Sequence, residues 1–216
     1  MRRRLAFKLI VSLLVMFAIV NTVSQYLNVG AQERQLLESV VQRTDQMSRS
    51  ITAATWQAML ADQREAAYQV MQTMAARQGV DHIRIFNKDG WLMFSTDRRE
   101  SVRLDKRAEV CNPCHSTAEP LVSLTPSSRS RVFRSASGVR QLAMITPILN
   151  EPACSEAACH AHPSSLKVLG VVDVGMSLAL VDAEVAAVRM RSLAFALVEI
   201  ALSGLIVYFF TRRFVT

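Results

Sequence analysis

All four cysteines of this 216-residue chain lie in two short clusters, and each cluster ends in Cys-His. The first cluster reads C-N-P-C-H and begins at Cys111. A C-x-x-C-H spacing is typical of c-type haem attachment, because two thiols can add across the two vinyl groups of one porphyrin while the neighbouring imidazole binds the iron. The sequence therefore predicts haem c on Cys111 and Cys114, with His115 as the proximal iron ligand.

The second cluster places four residues, instead of two, between its thiols Cys154 and Cys159. The longer bridge can bulge outward and still span the same two vinyl positions, and it resembles the C-x-x-x-x-C-H sites of some multihaem cytochromes. A second haem is therefore predicted on these two cysteines, with His160 as its proximal ligand. His162 follows two residues later and is held extended by Pro163, so we predict it as a sixth ligand for the other haem or for the same site in a neighbouring chain.

Other side chains could also reach a haem. His82 and Met144 are candidate sixth ligands, although a surface or strand-edge imidazole explains the former as well, and ordinary core packing the latter. Several basic residues near the clusters could contact haem propionates, although solvated loop charge is their default interpretation. These basic residues are Arg98, Arg99, Lys106, Arg107, Arg129, Arg131 and Arg134.

Two other chemistries fit an even number of cysteines. An exported domain lies in an oxidising compartment, where two disulfides are expected, although disulfides leave the repeated histidines unexplained. A structural zinc site could use the four thiols or a mixed set that includes His115 or His160, although zinc requires thiolates that are kept reduced. The sequence shows no Ser/His/Asp set, phosphate-binding glycine loop or paired carboxylates, so we expect no enzymatic activity in this chain.

The two ends of the chain are nearly continuous apolar runs, at residues 5–27 and 193–210, and each can cross a bilayer. Basic residues at the two tips hold most of the excess behind the net charge of +7. They are Arg2, Arg3, Arg4, Lys8, Arg212 and Arg213. Because basic residues collect on the cytoplasmic side of membrane spans, we predict a two-pass bacterial inner-membrane protein with both termini in the cytoplasm, a periplasmic middle and no nucleic-acid partner.

A secretory signal peptide is a competing interpretation of the first run, because a basic start and an apolar core fit one too. No clear A-x-A cleavage site follows residue 20, and the polar residues 21–25 lead into a helical pattern. We therefore expect the first run to be retained as an anchor. Glu199 lies in the second run, and we assign it no role.

The segment after the first run predicts a long helix, because residues 32–61 contain neither glycine nor proline. Apolar and small residues recur there at alternating steps of three and four, which is typical of a coiled-coil seam. They are Leu37, Val40, Thr44, Met47, Ile51, Ala54 and Ala58. A stalk that forms a homodimer and an amphipathic helix packed on its own domain both fit this spacing.

A second helix and five strands are expected next. The helix starts from a capping box of Asp62 and Glu65, stops near Gly79 and has Ala67, Val70, Met71 and Met74 on its inner stripe. Alternating or valine-rich segments and turn residues predict strands at 81–86, 91–95, 131–134, 139–148 and 167–174. The first two and the next two form hairpins, about turns at 87–90 and 135–138.

The predicted fold class is α+β, with two transmembrane helices flanking a long stalk helix and a five-stranded antiparallel sheet. The expected domains are a cytoplasmic tip and first transmembrane helix at 1–30, a stalk helix at 31–61 and an extracytoplasmic haem domain at 62–180. Residues 181–216 are expected to form an exit helix and the second transmembrane helix. This strand order resembles the small sheet of extracytoplasmic PAS-like or single Cache sensor domains.

With its cysteine clusters between the second and third and between the fourth and fifth strands, the chain is similar to the periplasmic input region of c-haem-containing bacterial sensor histidine kinases and chemoreceptors. The matching stretches are IRIFNKDG at 83–90, DKRAE at 105–109, TPILNEP at 146–152 and VLGVVDV at 168–174. The resemblance implies that a membrane helix, a HAMP linker and a transmitter follow such a domain. Residues 181–216 would then include the start of a HAMP-like segment, and a kinase or other output would lie outside this chain.

These features predict a membrane-anchored c-type haem sensor of redox state, gas or another small ligand. A change at the haem would shift the fifth strand, and the exit helix that continues from it would carry the change across the membrane. Two other functions stay open. One is a membrane-anchored dihaem cytochrome c for electron transfer, and the other is a zinc- or disulfide-stabilised Cache domain that binds a small ligand without haem.

Overall fold

A computed structural model describes residues 2–77, 79–97, 103–105, 108, 111–115, 124–135, 137–156 and 162–214. In chain order the described elements are α1 (Arg2–Leu60), α2 (Arg64–Ala75), β1 (Val80–Asn87), β2 (Leu92–Ser95), α3 (Asn112–His115), α4 (Pro126–Arg129), β3 (Ser130–Arg134), β4 (Arg140–Leu149), α5 (Pro152–Ser155), β5 (Val168–Ser177) and α6 (Ala179–Phe214). They form two compact units, one of which is Glu38–Leu180 and contains the sheet. The other combines the two ends of the chain.

Helices α1 and α6 each contain a stretch long and apolar enough to cross a membrane. The most apolar parts have mean hydropathies of 1.8 and 2.2, and none of their residues is buried. Large side chains such as Leu13 and Phe17 on α1 and Phe195 and Leu197 on α6 are exposed. A protein in water rarely exposes so much contiguous apolar surface, so the two predicted spans are confirmed as helices of the required length and composition. Their sidedness stays a prediction.

The sheet has five antiparallel strands in the order β2-β1-β5-β4-β3. Both predicted hairpins are confirmed, and the largest difference in strand bounds is at β5, which continues to Ser177. The last strand lies in the middle of the sheet, where Val174 pairs with Ile83 on one side and Met144 on the other. The fold is therefore α+β with an open antiparallel sheet.

One face of the sheet packs against α2 and the second half of α1. Ile51 of α1 and Met71 of α2 are fully buried against Ile83, Val172 and Val174 of the central strands. The seam predicted in α1 contributes to this core, since Thr44 is also buried and Met47 and Ala58 pack against the cluster. This helix thus packs on the sheet of its own chain, the second of the two interpretations of its spacing. A homodimer stays a prediction.

A buried ion pair ties α1 to the sheet. Arg129 at the end of α4 is only 5% exposed, and its guanidinium donates to the carboxylate of Asp45 on α1. It also donates to the carbonyl of Ile145 at 2.9 Å and to the hydroxyl of Thr146 at 2.8 Å. Ser48 of α1 donates to the same hydroxyl at 2.7 Å. The expectation of solvated loop charge is therefore wrong for Arg129.

The capping box predicted before α2 does not form. Asp62 takes a left-handed conformation with φ of 54°, and the N–H of Gln63 donates to the carbonyl of Ala58 at 2.8 Å. Asp62 therefore ends α1. A short polar residue such as aspartate adopts the left-handed conformation with only a modest steric penalty. Helix α2 begins with Gln63 as its N-cap, and no side chain caps it.

Arg129→Met is expected to lower the free energy of unfolding of the sheet unit by about 3–5 kcal/mol, because it leaves the carboxylate of Asp45 buried without its partner. Urea unfolding of the full chain in detergent, followed by the tryptophan fluorescence of the sheet unit, measures this change. Arg134→Met is the matched control, since Arg134 is exposed and its loss should change stability by less than about 0.5 kcal/mol. Equal effects of the two substitutions would contradict the anchoring role of Arg129.

Candidate functional site

The first cysteine cluster folds into a single helical turn. The carbonyl of Cys111 accepts the N–H of Cys114 at 3.2 Å and that of His115 at 3.1 Å. Residues three apart lie on one side of a helix, so the turn presents the two thiols in the same direction. Both thiols are free and partly buried, whereas His115 is exposed.

The pKa values of both thiols in this turn are raised. Burial raises the pKa of the Cys111 thiol, the neighbouring Cys114 thiol and the charge of Asp105 raise it further, and Arg131 opposes them. Burial likewise raises the pKa of Cys114, against the charge of Arg129. Reactive and redox-active cysteines commonly have lowered pKa values, and the surroundings of this pair act in the opposite direction.

A buried carboxylate lies among the charges that act on Cys111. Asp173 on β5 is fully buried, and Arg84 donates to it at 2.7 Å and Arg131 at 3.2 Å. Side chains alternate between the faces of a strand, and Val172 and Val174 face the helices. Asp173 therefore faces the opposite side of the sheet, which is the side near the first cluster.

His82 completes this charged cluster. Its Nε2 lies 3.3 Å from a carboxylate oxygen of Asp173 and its Nδ1 lies 2.9 Å from Asp81. It is 8% exposed and lies opposite Gly175 of the central strand β5, so the interpretation as a surface imidazole is wrong. A Cβ on Gly175 would come within 2.3 Å of the ring, so glycine provides the space for it. Because both ring nitrogens contact carboxylates, iron could bind His82 only after one contact is broken.

The pKa values within this cluster follow from its contacts. Burial raises the pKa of Asp173, but the hydrogen bond from His82 and the charges of Arg131 and Arg84 outweigh it and hold the pKa at about 2. Burial lowers the pKa of His82, but its hydrogen bonds to Asp173 and Asp81 outweigh it and raise the pKa above its usual value. The expectation of solvated loop charge is thus wrong for Arg131 too. An aspartate in a valine-rich strand is the sequence feature that could have revealed this cluster.

The second cysteine cluster lies in the loop between β4 and β5, which Asn150 closes at its base. The side-chain amide of Asn150 donates to the carbonyls of Pro163 at 3.0 Å and Leu166 at 2.9 Å. Its backbone N–H donates to the carbonyl of Lys167 at 3.0 Å. Cys154 lies on the short helix α5 of this loop and is free. The other two residues of the predicted site, Cys159 and His160, lie outside the described residues.

Cys154 and His162 line the same cavity, which has a volume of about 290 Å³. The cavity lies on the helix-packed face of the sheet, and its walls are mostly aromatic, thioether and aliphatic groups from α1, α2 and the strands. Tyr68 forms part of one wall. Its ring stacks on that of Phe94 with 4.7 Å between the ring centroids, and its hydroxyl donates to the carbonyl of Met93 at 3.0 Å. Pockets for small ligands and cofactors begin at about this volume.

The structure thus places the predicted site residues in two groups. Cys111, Cys114 and His115 form a turn whose thiols feel the charges of the polar cluster, whereas Cys154 and His162 share an apolar cavity. Met144 is fully buried, which agrees with ordinary core packing. Among the described residues no three His, Cys, Asp or Glu side chains lie together as a metal-ligand set.

No protein-family model matches this chain, and no curated protein matches it. The two cysteine clusters and the surroundings that the fold gives them are therefore the features of this chain that indicate a function.

The described residues of the first cluster are chemically compatible with c-type haem. The first cluster offers two thiols in one helical turn and an exposed imidazole, and the second offers a thiol and an imidazole at an apolar cavity. The thiols would hold the porphyrin, and His115 and His160 would bind the iron. Haem would supply reversible one-electron chemistry and a sixth coordination position.

Asp173→Asn is expected to lower the free energy of unfolding by about 3–5 kcal/mol at neutral pH, because two arginines are left partly buried without their carboxylate. The folded pKa of Asp173, about 2, lies below the unfolded pKa of 3.8. Its contribution to stability is therefore complete above the unfolded pKa and is lost as the pH falls through about 2. Urea unfolding of both proteins from pH 2 to pH 7 measures this difference.

The matched control for Asp173→Asn is Asp89→Asn. Asp89 is exposed in the β1–β2 turn, and its carboxylate forms an ion pair with the exposed Lys88. Exposed pairs contribute at most about 1 kcal/mol. If the stability difference between wild type and Asp173→Asn did not shrink in acid, Asp173 would not be the charged centre of the cluster.

Proposed function

We propose that this chain is a membrane-anchored sensor that carries c-type haem at both cysteine clusters and passes a change in haem state across the bacterial inner membrane. The observation that carries the proposal is the repeated arrangement of two thiols followed by histidine, which uses all four cysteines. The free thiols of Cys111 and Cys114 in one helical turn support it.

Haem attachment needs no external oxidant or reductant. Each thiol would add its S–H across one vinyl group, so that a carbon–sulfur bond forms, the vinyl double bond becomes a single bond and the hydrogen ends on the neighbouring carbon. The reaction is redox-neutral overall and would proceed once a maturation system brings the porphyrin. His115 and His160 would then bind the two irons, with His162 as a candidate sixth ligand.

We propose that the sheet unit is a periplasmic PAS-like or Cache domain. Its five antiparallel strands and two packed helices agree in strand number and direction with the resemblance found in the sequence. The basic residues at both ends favour a cytoplasmic location for the two termini. A cytoplasmic partner with a HAMP or kinase transmitter would then receive the output.

Strand β5 connects the two candidate sites with the second membrane helix. Its Asp173 belongs to the charged cluster near Cys111, and its Leu169 and Gly170 line the cavity at Cys154. The strand ends at Ser177 and α6 begins at Ala179. A shift at either haem would therefore act on a strand that continues into a membrane helix, and such an element can transmit a displacement.

Electron transfer by a membrane-anchored dihaem cytochrome c is the second candidate function. The exposure of His115 favours it, because a haem at the first cluster would be accessible to a redox partner. This function requires no change in β5 or α6 when the haem is reduced. The zinc- or disulfide-stabilised Cache domain is the third candidate and requires no haem.

Full-length protein made with cytochrome maturation factors is expected to carry two haems by intact mass and to stain for haem after denaturing electrophoresis. Cys111→Ala/Cys114→Ala and Cys154→Ala/Cys159→Ala should each lose one haem equivalent, because each removes both thioether positions of one site. Ser155→Ala, next to Cys154, is the control and should keep both haems. A mass equal to that of the bare polypeptide would exclude the haem sensor and the cytochrome and leave the third candidate.

Hydrogen–deuterium exchange separates the sensor from the electron carrier. In the sensor, reduction of the haems should change amide exchange in β5 and the first turns of α6, while exchange at β2, which does not pair with β5, stays constant. Mass spectrometry of peptides covering residues 168–190 and 91–95, with the haems oxidised and reduced, measures this. Identical exchange in both states would favour the carrier.

A further inference from the structure

The cavity between the helices and the sheet is larger than the gaps that ordinary packing leaves. It has a volume of about 290 Å³ and is lined by α1, α2 and the strands. Ala67 of α2 and Gly170 of β5 lie in its wall and contribute little side-chain volume. Protein interiors contain few voids larger than a water molecule, so a space of this size in the sheet unit points to a bound molecule.

The walls of the cavity suit an apolar molecule. Trp56 and Met59 of α1 and Tyr68 and Met71 of α2 line it, and Tyr68 stacks on Phe94. Aromatic rings and thioethers pack favourably against another ring. An apolar cavity of about 150 Å³ stays dry and binds benzene. The larger cavity of this chain therefore has room for a substituted ring.

Three polar side chains in the wall already have hydrogen-bond partners. The hydroxyl of Thr55 donates to the carbonyl of Ile51 at 2.8 Å, and that of Tyr68 donates to the carbonyl of Met93 at 3.0 Å. The side-chain oxygen of Asn87 accepts two backbone N–H groups of the β1–β2 turn, at 2.9 and 3.0 Å. Because a polar ligand would compete with these bonds, the wall favours a ligand that needs no hydrogen bond.

Charge at the cavity also favours a neutral ligand. Asp62 and Arg64 line it, and both are exposed near the start of α2. Because their charges have opposite signs, the two residues together attract neither anions nor cations strongly. Transfer of an ionised group into apolar surroundings is costly unless the group is paired. A neutral apolar molecule therefore enters at the lowest cost.

We propose that this cavity is a binding site for a neutral apolar molecule about the size of one substituted aromatic ring. The ligand would contact α1, α2 and, through Leu169 and Gly170, the central strand β5. The site needs no haem at either cysteine cluster, so it goes beyond the proposed function. It gives the sheet unit a second input, because β5 is followed directly by α6.

Methionine-methyl NMR of the full chain in detergent, labelled with ¹³C at the methionine methyl groups, tests the proposal with toluene as the probe. Met→Leu substitutions assign the resonances. Toluene should shift the methyl signals of Met59 and Met71 saturably, because the ring changes the magnetic field at nearby nuclei. Met144, fully buried on β4 and not among the described residues that line the cavity, should move much less. Equal movement of the three signals would contradict a ligand in the cavity.

A cavity-filling variant separates binding in the cavity from toluene dissolved in the detergent. Ala67→Phe places a ring in the space and should weaken toluene binding by about tenfold or more, because overpacking is costly. Ala54→Phe is the matched control and should bind toluene as the wild type does, since Ala54 is exposed on α1 and is not among the described lining residues.

Circular dichroism shows whether each variant is folded. If Ala67→Phe does not fold, Met59→Trp fills the same space, and the methyl group of Met71 is then the reporter. Unchanged toluene binding in a folded cavity-filling variant would overturn the proposal.

Benzoate tests the class of ligand. It resembles toluene in size but carries a charged carboxylate where toluene has a methyl group. It should therefore give no saturable shift at concentrations that saturate the toluene signal. If benzoate bound as tightly as toluene, the site would not select neutral molecules, and the proposal would be wrong.

Haem loading distinguishes failure of this site from failure of the proposed function. The titration uses protein made with cytochrome maturation factors and its Cys154→Ser/Cys159→Ser variant, and intact mass gives the haem content of each. If toluene binds both proteins and neither carries haem, the ligand site stands and the proposed function is lost. If toluene binds the variant but not the haem-loaded wild type, the mature protein has no ligand site in the cavity, and the proposed function is kept.

Discussion

Strand β5 determines how the parts of this molecule are arranged, because it lies in the middle of the sheet and its two faces differ. Val172 and Val174 pack against the helices, and Asp173 between them is buried on the other side with two arginines and a histidine. An unpaired buried carboxylate is strongly destabilising, so Arg84, Arg131 and His82 must lie where they do. The same alternation separates a polar side of the sheet from an apolar one.

The described cysteines of the two clusters border these different sides. The charged groups of the polar side act on Cys111, whereas Cys154 borders an apolar cavity of about 290 Å³. The described thiols of the two clusters therefore have unlike surroundings. A protein that carries haem at both would have two centres with different potentials, which suits a sensor that responds over a range of conditions and also suits a carrier that passes electrons from one haem to the other.

Helix α1 is one continuous helix whose two parts have different roles. Its first part is apolar on all sides, with exposed groups such as Leu13 and Phe17, and its second part packs Ile51 into the core. The change follows from its composition, because serine, threonine and aspartate replace leucine and valine where the helix meets the sheet. Thr44, Ser48 and Asp45 are buried there, and the last two bond to Thr146 and Arg129. This polar contact fixes the register of the helix on the sheet.

Much of the fold could be predicted from local patterns. The periodicity of apolar residues and the positions of turn-forming residues indicated both hairpins, all five strands and the apolar helices. The spacing of cysteine and histidine alone singled out the thiols of Cys111 and Cys154 with their histidines. The position of each strand within the sheet, the buried cluster at Asp173 and the cavity at His162 could not be derived from local patterns, because each depends on residues far apart in the chain. His82 shows why: its neighbour Asp173 is 91 positions away, and only pairing of β1 with β5 brings the two together. The sequence by itself thus determined which residues form the two Cys-Cys-His patterns from which haem is proposed, and the tertiary structure decided what surrounds the described ones, because burial and charge arise from packing between distant segments.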